Sequence, residues 1–438
     1  MLPAARSLSA AGRLGGLAAR AASTQPSELR RFLVERYDGW TDGSDSLSSS
    51  ECEPISLREL LRHADDEGKQ WWEALSLGYP EQPGSDRLRH EIARGYASVG
   101  AAQLNVLAPA EGIYLAMRAL LSPGDHVVAT APHYQSLGEV ARAIGCEVSL
   151  WLPEEGGAAR FAPRRLGNLM RGRGGTRLVV ANWPHNPTGA VPSAEEMGQV
   201  VAMCEASGAH LFVDEMYRGL EHGSTAPLPA ACDAYERGIT LSGMSKTYGL
   251  PGLRIGWLAS RDEAFMARVA ELKDYTSICP PAPSEVLAFI ALRSREALLA
   301  RNRALVADGL SACRAHVAAH AELLQWHEPA GGTFAFVGLR GWGAQVSAHA
   351  YSQLLYALHH LPIHNYSTSS IPRITTIGIV LGTQSVSGVN RRAKLMLLPS
   401  SLFECGDDRV RLTFGRKHTP QLLGRWSDDL SQYGLQLH

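Results

Sequence analysis

The sequence predicts an α/β protein: a largely parallel sheet covered by helices, with a smaller domain after it. Two observations predict the sheet. Strand-length apolar runs recur at residues 146–151, 179–181, 211–214 and 240–241. Helical stretches at 164–170 and 194–206 fall between them, and a chain needs such crossovers to lay successive strands parallel. A third observation predicts the second domain. The run Cys279-Pro-Pro-Ala-Pro-Ser284 stops the helix expected over 262–275, because proline cannot continue one. A long helical region over 285–314 follows, with Leu287, Ile290, Ala291, Leu298, Leu305 and Leu310 at helical spacing, and leads into a C-terminal unit.

In chain order, residues 1–27 form a separate unit. They hold no Asp or Glu, and Arg6, Arg13 and Arg20 recur at a seven-residue interval among Ala, Leu, Ser and Gly. That is the composition of an organellar transit peptide, for a mitochondrion or alternatively a plastid. Residues 28–76 read as an N-terminal arm and part of the small domain. Ser56, with Glu59 three positions on, opens an apolar pattern of Leu57, Leu60 and Leu61 as a capping box. Residues 77–293 form the large domain and 294–438 the small one. Within the latter no acidic residue occurs between Glu328 and Glu404. Its middle, about 358–392, shows neither helical nor strand periodicity and reads as an insertion.

Composition excludes several classes. The chain is 45% hydrophobic and 19% charged with a formal net charge of -1, so it lacks the clustered positive charge of a nucleic-acid groove or a basic membrane patch. Its seven cysteines are scattered, with no C-x-x-C, which predicts neither a metal site nor a disulfide framework and fits a reducing compartment. No apolar run is long enough to span a bilayer.

The chemistry is carried by three ordered segments. Leu241-Ser-Gly-Met-Ser-Lys246-Thr-Tyr-Gly-Leu-Pro-Gly-Leu-Arg254-Ile-Gly256 sets a lysine after a Gly/Ser turn, with a hydroxyl at Ser245 and a guanidinium at Arg254. Asn182-Trp-Pro-His-Asn186-Pro-Thr-Gly189 follows one apolar strand. Leu211-Phe-Val-Asp214-Glu-Met-Tyr217 ends another in a carboxylate and a phenol. Together they resemble the class I/II pyridoxal phosphate-dependent aminotransferases of fold type I, across roughly residues 50–435. The Ser-Gly-Met-Ser-Lys form of the lysine segment and Leu47-Ser-Ser-Ser-Glu-Cys-Glu-Pro-Ile-Ser56 are similar to the capreomycidine-synthase-like branch.

The resemblance implies roles for named residues. Lys246 is the amine that joins the cofactor aldehyde, Asp214 keeps the pyridine nitrogen protonated, and Tyr217 and Asn186 hydrogen-bond the ring oxygen. Ser245 and Arg254 bind the phosphate with the helix N-terminus at Ala110 and Glu111. That corner reads Ala108-Pro109-Ala110, and proline has no N–H to donate, so a weakened anion cup is expected. Tyr134 lies against the ring, while His133 beside it is assigned no role and is expected to be solvated. Arg411 grips the substrate α-carboxylate, with Arg416 as a competing candidate. Residues 48–53 are a candidate substrate wall. Tyr79 matches the tyrosine that a partner subunit sends to the phosphate, which implies a homodimer. The implied reaction moves an amino group between an amino acid and a 2-oxo acid. The same lysine chemistry supports a lyase or cyclase, and a non-catalytic relative is the third reading.

Overall fold

A computed structural model of the chain describes residues 28–34, 47–154, 159–171, 174–340, 348–349, 351–352 and 395–433. The segments expected to be a transit peptide, 1–27, and an insertion, about 358–392, lie outside the described residues.

A seven-stranded sheet forms the centre of the larger unit. Its strands are β1 (Leu104–Leu107), β2 (His126–Thr130), β3 (Glu147–Trp151), β4 (Thr176–Asn182), β5 (His210–Asp214), β6 (Gly238–Gly243) and β7 (Gly256–Ser260). They lie in the order β1-β7-β6-β5-β4-β2-β3. The pairings β2–β3, β2–β4, β4–β5 and β5–β6 are parallel, and β7 runs against both its neighbours. The residues of β2, β5 and β7 are buried throughout, as expected of strands covered on both faces, which read as near-continuous apolar runs. One core layer joins the helices Pro109–Leu120, Ser136–Ile144 and Glu263–Lys273 to the sheet through Ile113, Met117, Leu137, Phe212, Leu241 and Val269. On another, Val128, Val179, Leu211 and Val213 pack with Trp151, Trp183, Met197 and Val200.

The second sheet has the order β10-β11-β9-β8, all antiparallel: β8 (Leu324–Gln325), β9 (Phe334–Leu339), β10 (Leu398–Pro399) and β11 (Arg409–Thr413). It packs with the helices Arg295–Ala319 and Thr419–Tyr433 around Leu310, Cys313, Val337, Leu412 and Trp426.

The long helical region expected after the proline cluster is present as two helices, Ala282–Arg293 and Arg295–Ala319, that meet at Ser294. Ser294 Oγ donates to the Ile290 carbonyl at 3.0 Å, a local bond that competes with the backbone ladder. The helices Leu57–Leu61 and Asp66–Glu73 pack on the first of these two. Trp71 meets Phe289 edge-on at 5.3 Å, and the helices share a core with Ile290 and Val286. Those two helices therefore pack on the larger unit, while Leu47 and Cys52 join the core of the second sheet and Val34 packs with Phe336 of β9 and Leu398 of β10.

Candidate active site

The register of the large sheet assembles the motif residues at one edge. Asn182 pairs with Asp214, and Asp214 with Leu241, so the ends of β4, β5 and β6 lie level. Gly243 and Leu107 both pair with Gly256. Glycine is required there: a Cβ on Gly256 would lie 2.7 Å from Pro109 Cγ and from the Ser242 carbonyl. Ser245 and Lys246, the loop ending in Arg254, and the helix starting at Pro109 therefore emerge side by side.

Lys246 is the centre of the group. Its Nζ donates to Ser50 Oγ at 2.8 Å and stands 3.6 Å from Glu51 Oε2. Asp214 is buried, with Oδ1 accepting from Met216 N at 3.1 Å. Burial pushes its carboxyl up to about 6, against the pull of the Met216 N–H and of Lys246. Tyr217 is buried edge-on against Phe334 at 4.7 Å. Burial raises its phenol, with Lys246 and Arg411 acting the other way, so it remains a donor at neutral pH.

Arg411 enters from β11 and is only 2% exposed. Its Nη1 donates to Asn186 Oδ1 at 3.0 Å, its Nη2 to the Ser48 carbonyl at 2.7 Å, and its guanidinium lies 5.2 Å from the Phe403 ring centroid. Asn186 is fixed in turn, its N–H donating to Asn182 Oδ1 at 2.7 Å. The competing candidate Arg416 donates to Glu51 Oε1, on the carboxylate that stands beside Lys246.

Other candidates sit nearby without meeting Lys246. Tyr134 is half-buried, 5.1 Å from Phe32. Tyr79 is 89% exposed and lines an open cleft with Ala108, Glu111, Arg254 and Cys279. The Glu111 carboxylate folds back on its helix start, accepting from Ala108 N at 3.4 Å and from Ser277 N at 3.2 Å. The backbone N–H groups of Ala110 and Glu111 stand in the first turn of this helix, where N–H groups have no intrahelical partner. His133 is not solvated as expected but fully buried, its Nδ1 2.7 Å from the Thr130 carbonyl and its Nε2 3.5 Å from Glu404.

Sequence reasoning assigned no individual role to Ser50 or Glu51, the groups that touch the Lys246 amine. The signal was the Ser-Ser-Ser-Glu run itself, polar residues with no amphipathic period.

The residues fit pyridoxal phosphate. Ser245 Oγ is buried and has no hydrogen-bond partner among the described residues, which leaves a donor for a phosphate oxygen. Asp214 is a carboxyl whose proton affinity burial raises even against the pull of Lys246, and a ring N–H would supply it a directly bonded cation. A lysine amine, an unpartnered buried hydroxyl and a buried guanidinium are thus all present. No group of His, Cys, Asp or Glu among the described residues is arranged to hold a metal, and no described helix is long and apolar enough to cross a membrane.

Comparisons with known proteins agree. The family model for aminotransferase class I and II matches residues 74–378. Capreomycidine synthase of Streptomyces vinaceus is 30% identical over 292 residues, covering 65% of this chain and 72% of the relative. Arginine–pyruvate transaminase AruH of Pseudomonas aeruginosa is 29% identical over 338 residues, 72% of this chain and 81% of the relative. Among solved structures, a PLP-dependent aminotransferase from Streptococcus suis superposes with a TM-score of 0.78 at 24% identity, covering 93% of this chain and 99% of the other. The PLP-dependent cyclase OrfR does so with a TM-score of 0.76 at 25% identity and the same coverage. The chain belongs to the class I and II aminotransferase family, has its fold type I architecture and takes pyridoxal phosphate as cofactor.

Proposed function

We propose that this chain is an aminotransferase that moves an amino group between an amino acid and a 2-oxo acid, with Lys246 as the residue that carries the cofactor covalently. The observation that supports it best is the register setting Asp214 opposite Leu241, which brings a buried carboxyl to the loop that carries the lysine.

Bound pyridoxal phosphate supplies an electron-withdrawing ring that accepts the charge left when a bond at the substrate Cα breaks. The chain does the rest. Asp214 holds a proton on the ring nitrogen. Asn186 spends Oδ1 on Arg411, so its amide N–H is left to donate to the ring oxygen beside the Tyr217 hydroxyl. Ser245, Arg254 and the first-turn N–H groups at Ala110 and Glu111 take the phosphate. Arg411 offers a planar fork to the substrate carboxylate, and Lys246 takes the Cα proton and returns it. In a homodimer, Tyr79 reaches the phosphate of the second copy, consistent with its exposure. The composition of residues 1–27 supports delivery to a mitochondrion, and fusing those residues to a fluorescent protein tests it.

Purified protein supplied with pyridoxal phosphate is expected to gain visible absorbance that Lys246→Ala lacks. It is then offered L-alanine, L-aspartate, L-arginine or L-ornithine with pyruvate or 2-oxoglutarate. Transamination consumes the 2-oxo acid one for one. The likeness to capreomycidine synthase and OrfR favours a second reading, a cyclase or lyase, under which the amino acid is converted without any 2-oxo acid. Absence of the Lys246-dependent absorbance would sink both.

A further inference from the structure

Resting on the reading of Lys246 above, we propose that Glu51 is a further residue acting at the reacting amine: with Ser50 it receives the Lys246 amine whenever that amine is free and holds it where it exchanges a proton with the substrate Cα.

The placement of Glu51 is built in by backbone contacts. The Cys52 N–H donates to the Lys246 carbonyl at 3.3 Å, and the Glu53 N–H to the Gly415 carbonyl at 2.8 Å. Thr413 N donates to the Leu47 carbonyl at 2.8 Å and Thr333 Oγ1 to the Ser50 carbonyl at 2.6 Å. The segment 47–53 is thus stitched to the second sheet on one side and to the lysine loop on the other. Gly249, at φ +68°, permits the approach: a Cβ there would lie 3.0 Å from the Glu53 carbonyl. In that arrangement Ser50 Oγ and Glu51 Oε2 both lie against the Lys246 amine.

The pair does not read as an ordinary surface ion pair, which adds little. The Glu51 side chain is 14% exposed and that of Lys246 28%. Arg416 already neutralises Glu51 and fixes Oε1, so its charge needs no second cation. The second cation that Oε2 faces is the lysine on which the site turns. Burial works to raise the Glu51 carboxyl, and the Lys246 and Arg416 cations outweigh it, leaving it below its usual range. It therefore stays an anion. When Lys246 takes the Cα proton, the amine becomes an ammonium between Ser50 Oγ and Glu51 Oε2. When it returns the proton, the neutral amine keeps the Ser50 bond. Glu51 itself neither gains nor loses a proton.

Glu51→Gln removes the charge and keeps the shape, Glu51→Asp keeps the charge but is too short to reach both partners, and Ser50→Ala removes the hydroxyl. In the holoenzyme, with the fastest amino acid of the panel above, Glu51→Gln is expected to lower kcat about 10- to 100-fold with little change in KM, the range set by misplacing a proton-transfer group. The kinetic isotope effect on kcat with the α-deuterated substrate is expected to rise, and Glu51→Asp to restore part of kcat. In the cofactor-free chain, acetic anhydride labelling of Lys246, read by mass spectrometry against Lys69 in the same molecule, is expected to increase several-fold in Glu51→Gln and Ser50→Ala. Unchanged labelling together with an unchanged isotope effect, in protein that keeps its Lys246-dependent absorbance, overturns this proposal alone. Loss of that absorbance in the unaltered protein overturns the Lys246 reading and this one with it.

Discussion

Replacing Asp214 by Asn is expected to make the cofactor-free protein more stable, and only above acid pH. The carboxyl at the end of β5 is buried, and its proton affinity is raised from 3.8 to about 6. At about 1.4 kcal/mol for each tenfold change in proton affinity, that costs the ionised folded state about 3 kcal/mol. The sign follows from the direction of the shift. Below the unfolded value both states are protonated and the penalty is absent. As pH rises toward 6 the unfolded chain ionises first, and stability falls. Asparagine keeps an oxygen for the Met216 N–H, which Oδ1 accepts at 3.1 Å, and carries no charge. Urea unfolding of the cofactor-free proteins from pH 3 to 7.5 should show nearly equal stability at pH 3 and a gap opening to about 3 kcal/mol in favour of the variant by pH 7.5, a large share of a typical domain's stability. Because the rest of the chain is unchanged, the difference isolates this group. Pyridoxal phosphate should then reverse the order, since a protonated ring nitrogen supplies the missing cation to Asp and not to Asn. A gap that does not change with pH, or a variant less stable at pH 7.5, refutes the account of Asp214 as a charge kept for a cofactor.

Other outcomes follow from the same geometry. Arg411→Lys keeps the charge and loses the fork that serves Asn186 and the Ser48 carbonyl and that we propose also takes a substrate carboxylate, so kcat/KM should fall by about 30-fold or more, chiefly through KM, as for truncated buried charge pairs; steady-state kinetics with two amino acids checks this. Gly309→Ala puts a Cβ 2.1 Å from the Phe414 carbonyl and forces the helix Arg295–Ala319 off the end of β11, which should cost about 2–4 kcal/mol, read as a lowered Tm.

Much of the fold was legible because burial on both faces of a parallel strand leaves an unbroken apolar run, as in β5, and because each such run ended in residues that turn and cap. Lys246, Asp214 and Asn186 were legible because each sits within a contiguous motif at a strand end. What the sequence hid was contact across long separations. Asn186 and Arg411 meet only when the second sheet docks. Glu51 reaches Lys246 only through the backbone stitching of the arm. His133 read as a loop residue because its partner Glu404 comes much later in the chain. The break at Ser294 was hidden because apolar spacing continues through it, while the end of the first helix is marked by the Ser294 backbone leaving helical geometry and by its hydroxyl bonding back to Ile290. The Trp71 contact with Phe289, which places the early helices with the larger unit, had no local signature either.

The direction of the strands explains why the motifs converge at all. In a parallel sheet every strand presents its C-terminal end to the same edge, so whatever follows β2, β4, β5 and β6 must gather there, and ligands settle at that edge. Tyr134, Asn186, Asp214 and Lys246 all follow such ends. Arg254 precedes its strand, and would fall on the far side of the sheet if β7 ran with the others. Because β7 is antiparallel to both β6 and β1, its beginning lies at the edge where they finish, and the arginine arrives beside the Pro109 helix and the lysine loop. The single reversed strand of the large sheet is thus what brings the cation before β7 to the edge where the Pro109 helix begins, the place we propose for the phosphate, and a design that turned β7 parallel would remove Arg254 from that edge without altering any other residue.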